Sequence, residues 1–272
     1  FRAASTKLMG DFARRLGQLA ARSLESESAN ILKTSRSNRH GLSRMLDSTL
    51  RRSHNMRIFG LGTLASLASR EWYGRFTASM HAVYHAMEAS FDKTDSPAVA
   101  RLWDRFGTPL RREPALREDL AEVSVDPCLS GHTPATAAYV AAVHNAADAD
   151  SKSGGARLVG HFYTRYFADL FGGQALAYPT RLALRLSDSS PRHYDFGSFG
   201  CERRANIDAI YAAINDATQD LSSDELNEVV RETERAFALN VAVYAEEGRL
   251  YIDAAHGAKN MVSGFVRKRL NL

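Results

Sequence analysis

The sequence predicts an all-α protein: one helical domain over residues 41–272, preceded by a basic N-terminal helical extension over 1–40. Three observations carry this. Apolar residues recur at three- and four-residue spacing through most of the chain. Clusters of Gly, Pro, Ser and Asp interrupt that spacing at helix-length intervals. No stretch alternates with a period of two, and β-branched residues are sparse.

In chain order, Leu8, Phe12, Leu16 and Leu19 predict a first helix over about 4–33, with Arg14, Arg15 and Arg22 near the apolar face. Leu42, Leu46, Leu50 and His54 align on one face of a second helix, about 42–55. Further helices follow over about 70–91, 97–106, 115–123 and 134–149. They are divided by Asp95-Ser96-Pro97, Gly107-Thr108-Pro109, Asp126-Pro127 and Gly131-His132-Thr133-Pro134. A long helix is expected over 155–187, between Ser153-Gly154-Gly155 and Ser187-Asp188-Ser189-Ser190-Pro191. Helices over 202–219, 222–246 and 249–269 complete the set, with Ser222 and Glu225 spaced as a capping box.

The charge is unevenly spread. Residues 1–57 hold 12 Lys/Arg against 4 Asp/Glu, a balance of +8, whereas the remainder is at −4. A mildly acidic body argues against nucleic-acid binding by the main domain. The Arg-, Ser- and Ala-rich, acid-poor segment 1–40 has the composition of an organellar targeting sequence, mitochondrial or plastid. Together with the initial Phe1, it leads us to expect a processed chain whose front end is a presequence remnant or an arm docking on a protein complex or membrane surface. Only Cys128 and Cys201 occur, which excludes a disulfide scaffold. No apolar run is long enough for a membrane span, so a soluble or peripherally held protein is expected.

Three segments carry chemistry. HFYTRYFADLFGGQ, His161 to Gln174, places Gly172 and Gly173 inside a helical pattern, where each costs roughly 1 kcal/mol relative to Ala. Ala168 and Gly172 share a face and strip it to backbone and one methyl. Such a face admits either a close helix crossing or a flat ligand, and Asp169 sets a carboxylate beside it. In MLDSTLRRSHNM, Met45 to Met56, His54 ends an apolar stripe beside Arg51 and Arg52; an imidazole there is either a core residue or a metal ligand. In HAVYHAMEASF, His81, Tyr84, His85 and Glu88 share a face, and the two histidines have metal-ligand spacing. Without further ligands nearby, this reads as a polar-aromatic packing face.

Together these segments resemble the haem oxygenase family. HFYTRYFADLFGGQ is similar to the family's distal-helix pattern HxYTRYLGDLSGGQ, and LDSTLRRSHNM resembles the helix bearing its proximal histidine. REWYGRFTASMHAVYHAMEASFD, EPALREDL and FALNVAVYAEE resemble later segments in unbroken order from about 42 to 246. The resemblance implies an all-α fold with haem between two helices, His54 as the iron ligand and Asp169 ordering distal water. Gly172 and Gly173 would let the distal helix approach the porphyrin, with Tyr84, Tyr163 and Arg165 in the supporting hydrogen-bond network. Haem would be both cofactor and substrate, cleaved with O₂ and electrons from ferredoxin or another reductase to biliverdin, CO and iron.

The sequence also departs from the family pattern. Ala168 stands where the family has its first distal glycine, and Phe171 where it has serine. Arg51 occupies one expected lysine position and Asp47 another. In NIDAIYAAIND, Asp208 and Ala212 replace the usual cations, leaving Arg203 and Arg204 about two turns earlier as candidate haem-propionate anchors. Three expectations stand on these residues: a haem oxygenase, a catalytically inactive structural or assembly subunit of an organellar complex, and a protein that binds haem without cleaving it.

Overall fold

The computed structural model describes residues 35–53, 55–126, 133–197, 202–246 and 250–271. Among them every regular element is helical: α1 (Gly41–Ser53), α2 (Met56–Ser66), α3 (Arg70–Asp92), α4 (Pro97–Leu110), α5 (Glu113–Glu122), α6 (Pro134–Ser153), α7 (Leu158–Ala168), a π-helical turn (Asp169–Gly173), α8 (Gln174–Leu184), α9 (Arg203–Ala217), α10 (Ser223–Ala245) and α11 (Leu250–Leu270). Short 3-10 turns lie at Ser37–Arg39 and Arg192–Tyr194.

The starts of these helices follow from local chemistry. Ser69, Ser96 and Thr133 each accept a backbone N–H of the first turn, and Pro97 and Pro134 sit where a missing N–H costs nothing. Ser222 and Glu225 form the full capping box at the start of α10.

Three boundaries differ from the sequence reading. No helix was expected over 56–66, where MRIFGLGTLAS carries two glycines. It forms nonetheless, capped by the Asn55 side chain and packed among α3, α10 and α11. The helix expected to end at 106 runs to Leu110, since Pro109 falls in its last turn and the carbonyl it leaves free belongs to the exposed Arg105. The long helix expected over 155–187 starts at Leu158, is broken by the π turn, and ends at Leu184, where Arg185 turns left-handed with φ 54°. The expected N-terminal helix over 4–33 lies outside the described residues.

At the centre, α10 packs on α7, α1, α6 and α2, while α3 packs on α6 and α5. One apolar core joins these helices apart from α2, with Tyr84, Tyr139, Tyr163, Tyr166 and Tyr211 fully enclosed, and α2 shares a smaller cluster with α11. The C-terminal helix α11 lies across α2 and α8. It approaches both closely through glycines: a Cβ on Gly257 would stand 1.6 Å from the Leu64 carbonyl oxygen, and one on Gly264 2.5 Å from that of Leu182. Residues just before α1 also join the body. Ser35 Oγ, Ser37 Oγ and two backbone N–H groups bond to the Asp208 carboxylate on α9.

Candidate functional site

The π turn at Asp169–Gly173 is where the fold departs most from regular helix. A π turn widens the ring of backbone atoms and leaves carbonyls out of step with the i−4 ladder. Arg203 on α9 answers this: its Nε donates to Leu170 O at 2.6 Å and its Nη2 to Phe171 O at 2.7 Å. The guanidinium expected to hold a ligand carboxylate is therefore engaged in holding the bend. Arg204 and Arg51 are exposed.

From Leu158 to Gly173 every residue is buried except Ala168 and Gly172, which share a helix face. The accessible surface of this buried segment is thus a strip of backbone and one methyl group. The two glycines divide the work. Gly173 makes room for a neighbour, since a Cβ there would stand 2.6 Å from the Tyr194 ring. Gly172 supplies bare accessible surface.

Behind the strip lies Asp169, buried, with its carboxylate held from two sides. Tyr84 Oη donates to Oδ2, and Arg165 Nη2 stands 3.5 Å from Oδ1. Arg165 is itself buried, donates through Nη1 to Asn240 Oδ1 at 2.9 Å, and lies over the Tyr84 ring at 5.2 Å. Burial pushes the Tyr84 hydroxyl well above its ordinary pKa; the Arg165 charge works against this and the Asp169 charge with it. Tyr84 therefore stays a proton donor to Asp169 over the whole neutral range.

Tyr163 does not join this group. Its hydroxyl donates to Asp47 Oδ1 at 2.6 Å, and Tyr211 donates to the same oxygen at 2.7 Å. Asn38 Nδ2 donates to Asp47 Oδ2 at 2.6 Å. Tyr163, expected in the supporting hydrogen-bond network, thus has its hydroxyl bond on Asp47, a buried carboxylate on α1 that draws in the nearest donors. Phe171 continues an aromatic row. It packs edge-on to Phe167, which packs on Tyr163 and Tyr211, so the Ala168/Gly172 strip stays accessible with the benzyl ring in place.

His54 falls outside the described residues; α1, which leads to it, ends at Ser53. His81 pairs with Glu113 at 2.9 Å, and His85 is exposed. Among the described residues no group of three or more His, Cys, Asp or Glu could hold a metal ion. Asn240 and Tyr244, which interact with Arg165, were not singled out as site residues, although both lie in FALNVAVYAEE. Tyr244 packs edge-on to Phe59 and Phe76 and walls a cavity of about 420 Å³ between α2, α3, the start of α6 and the end of α10.

Comparison with known proteins agrees with the helical fold. The family model described as Heme oxygenase matches residues 51–246. A heme oxygenase of Pyropia yezoensis is 30% identical over 208 residues, covering 72% of this chain and 81% of the relative. Heme oxygenase 1 of Rattus norvegicus is 27% identical over 225 residues, covering 80% and 72% respectively. Among solved structures, heme oxygenase-1 from Synechocystis sp. PCC6803 in complex with heme superposes with a TM-score of 0.64 at 24% identity, over 85% of this chain and 99% of that one. Heme oxygenase-2 from the same organism, in complex with heme and NO, superposes with a TM-score of 0.66 at 24% identity, over 85% and 93%.

Proposed function

The chain belongs to the haem oxygenase family, and we propose that it binds haem against the Ala168/Gly172 strip and cleaves it, with O₂ and an external reductant, to biliverdin, CO and iron. The observation that carries this reading is the strip itself: on a segment otherwise enclosed by protein, the one accessible surface is flat, free of side chains beyond a methyl, and backed by a buried carboxylate. The residues present fit a planar macrocycle on that ground. When bound, haem supplies the iron and the ring on which oxygen is activated, and the ring is the substrate.

Each residue then has a task. The bare strip would let a flat ring lie directly against the helix backbone and would keep side chains and water out of that contact. Asp169 holds water and passes protons without touching the ring. Tyr84 and Arg165 fix the carboxylate, and Asn240 fixes Arg165. His54 is the proposed iron ligand. Arg51 and Arg204, both exposed, are the proposed partners of the haem carboxylates, whereas Arg203 serves the π turn. Ferredoxin or another reductase is the proposed electron donor. The basic composition of residues 1–40 supports delivery to an organelle or docking on a protein complex there.

Hemin titration tests the reading. The parent protein is expected to give a saturable Soret shift, and to form biliverdin when supplied with O₂ and a reductase. Ala168→Leu fills the strip at a partly exposed position, so it should leave the unfolding free energy in urea within about 0.5 kcal/mol of the parent while abolishing the shift. Asp169→Asn should keep the shift and lower biliverdin formation by about 10²-fold or more. Absence of a saturable shift in the parent would sink the proposal; a shift without biliverdin would leave haem binding alone.

A further inference from the structure

The large apolar side chains exposed on this protein are concentrated on one helix. Tyr251, Ile252, Val262, Phe265, Val266 and Leu270 all lie on α11, with Leu270 61% and Tyr251 58% exposed. The only other large exposed apolar residue among those described, Tyr178 on α8, packs edge-on to Phe265 and extends the same patch. At 100° per residue, Tyr251, Val262, Phe265 and Val266 fall within one continuous stripe, with Ile252 and Leu270 on its flank.

This stripe is not the face that folds the protein. The buried side of α11 carries the small residues Gly257 and Gly264, with Ala254 and Ala258 running up to the edge of the stripe, and these seat the helix on α2 and α8. Among the described residues, only Tyr178 packs on the bulky residues of the stripe beyond the helix itself and Arg57 beside Tyr251. Its charges are one-sided in sign as well. Lys259 is exposed on the flank of the stripe and Arg269 within it, while the helix's single side-chain carboxylate, Asp253, is buried on the inner side. A stripe of bulky apolar and aromatic residues interspersed with cations, on a helix with no exposed side-chain carboxylate, complements a surface that is apolar beneath and negatively charged above.

We propose that α11 docks this protein peripherally on an anionic lipid surface, its Tyr251–Leu270 stripe lying in the headgroup boundary and its cations on the lipid phosphates and carboxylates. No helix among the described residues is long and apolar enough to cross a membrane, so the contact is interfacial. A protein partner would need matching acids around an apolar groove, whereas an anionic bilayer offers both features everywhere.

Vesicle flotation with the full chain tests this. The parent is expected to float with vesicles containing one-third phosphatidylserine in phosphatidylcholine, and to float weakly with phosphatidylcholine alone. Replacing Lys259 and Arg269 by Gln should reduce partitioning to the anionic vesicles by about thirtyfold, removing most of the preference. Phe265→Glu with Val266→Glu should abolish flotation on both. All four positions are exposed, so circular dichroism and the urea midpoint should stay at parent values. Failure of the parent to float overturns the proposal. So does flotation unchanged by the Phe265/Val266 pair, which would assign binding to the basic front of the chain. A concentration-dependent dimer lost in that pair, without vesicle binding, would make the stripe a self-association surface instead.

Discussion

Asp47 shows how a single side chain organises distant parts of this protein. It is 2% exposed and accepts from Tyr163, Tyr211 and Asn38. Burial raises its pKa above the ordinary aspartate value, and the three donors and Arg51 oppose that rise. The same device recurs: Tyr84 donates to Asp169, and Tyr166 to Glu88. Each pair joins two elements that the chain alone does not bring together, and each hydroxyl belongs to a fully buried tyrosine. Asp47→Ala should therefore do more than remove one contact. It removes the shared buried acceptor of two phenols, and should destabilise the protein by about 3 kcal/mol or more in urea unfolding. Asp47→Asn, which keeps an acceptor, should recover part of that loss; equal losses for the two variants would argue against the hydrogen-bond account.

Among the elements, the π turn and α11 decide how the candidate site is bounded. The turn inserts its extra width where Gly172 and Gly173 weaken the helix, and Arg203 ties off the carbonyls left over. The bend is thus held rather than loose, and the accessible strip has a defined shape. α11 spans α2 and α8, the helices that follow α1 and the π turn, so it fixes their separation. Gly257→Ala tests that contact. The added methyl meets the Leu64 carbonyl, part of a helix backbone that cannot rotate away. The expected cost is about 1–3 kcal/mol, read from the urea midpoint. An unchanged midpoint would mean that α11 does not sit this close to α2.

At the scale of the whole molecule, buried carboxylates should shape the pH dependence of stability. Glu88 is 2% exposed and accepts from two backbone N–H groups and Tyr166, yet burial outweighs these and lifts its pKa from 4.5 to about 7. A carboxyl with a folded pKa above its unfolded one favours folding at low pH, and that contribution is lost as pH rises from about 4.5 through 7. The size is about 3 kcal/mol. Glu122 acts in a separate window: accepted hydrogen bonds from Ser187 and Ser190 overcome its burial and lower it to about 2, so its contribution disappears below 4.5. Burial lowers the His81 pKa, which favours folding as pH rises and opposes Glu88 near pH 6. The clean measurement is therefore a difference. Between about pH 5 and pH 8, Glu88→Gln should gain on the parent by up to about 3 kcal/mol in urea unfolding. A constant difference would show that Glu88 is ionised throughout.

Much of this fold was legible in the sequence. Periodicity and breakers located most of the helices, because an amphipathic helix prints its buried face at three- and four-residue intervals. The same signal could not find α2, whose short, glycine-containing run has little polar periodicity, nor the π turn, which keeps a helical pattern while changing its width. The candidate site divided in the same way. Asp169, Gly172, Tyr84 and Arg165 stood out by residue type and order, and the family pattern of the chain could be read from them. Their partners could not: Tyr163 lies 116 residues from Asp47 and Tyr211 lies 164, and no local pattern records which buried hydroxyl will meet which carboxylate. The sequence by itself determined the all-α class, the order of most helices and the family. Only the tertiary structure decided that Tyr163 serves Asp47, that Arg203 holds the bend, and that Ala168 and Gly172 alone remain accessible on their helix, because each outcome depends on groups that meet only when the helices pack.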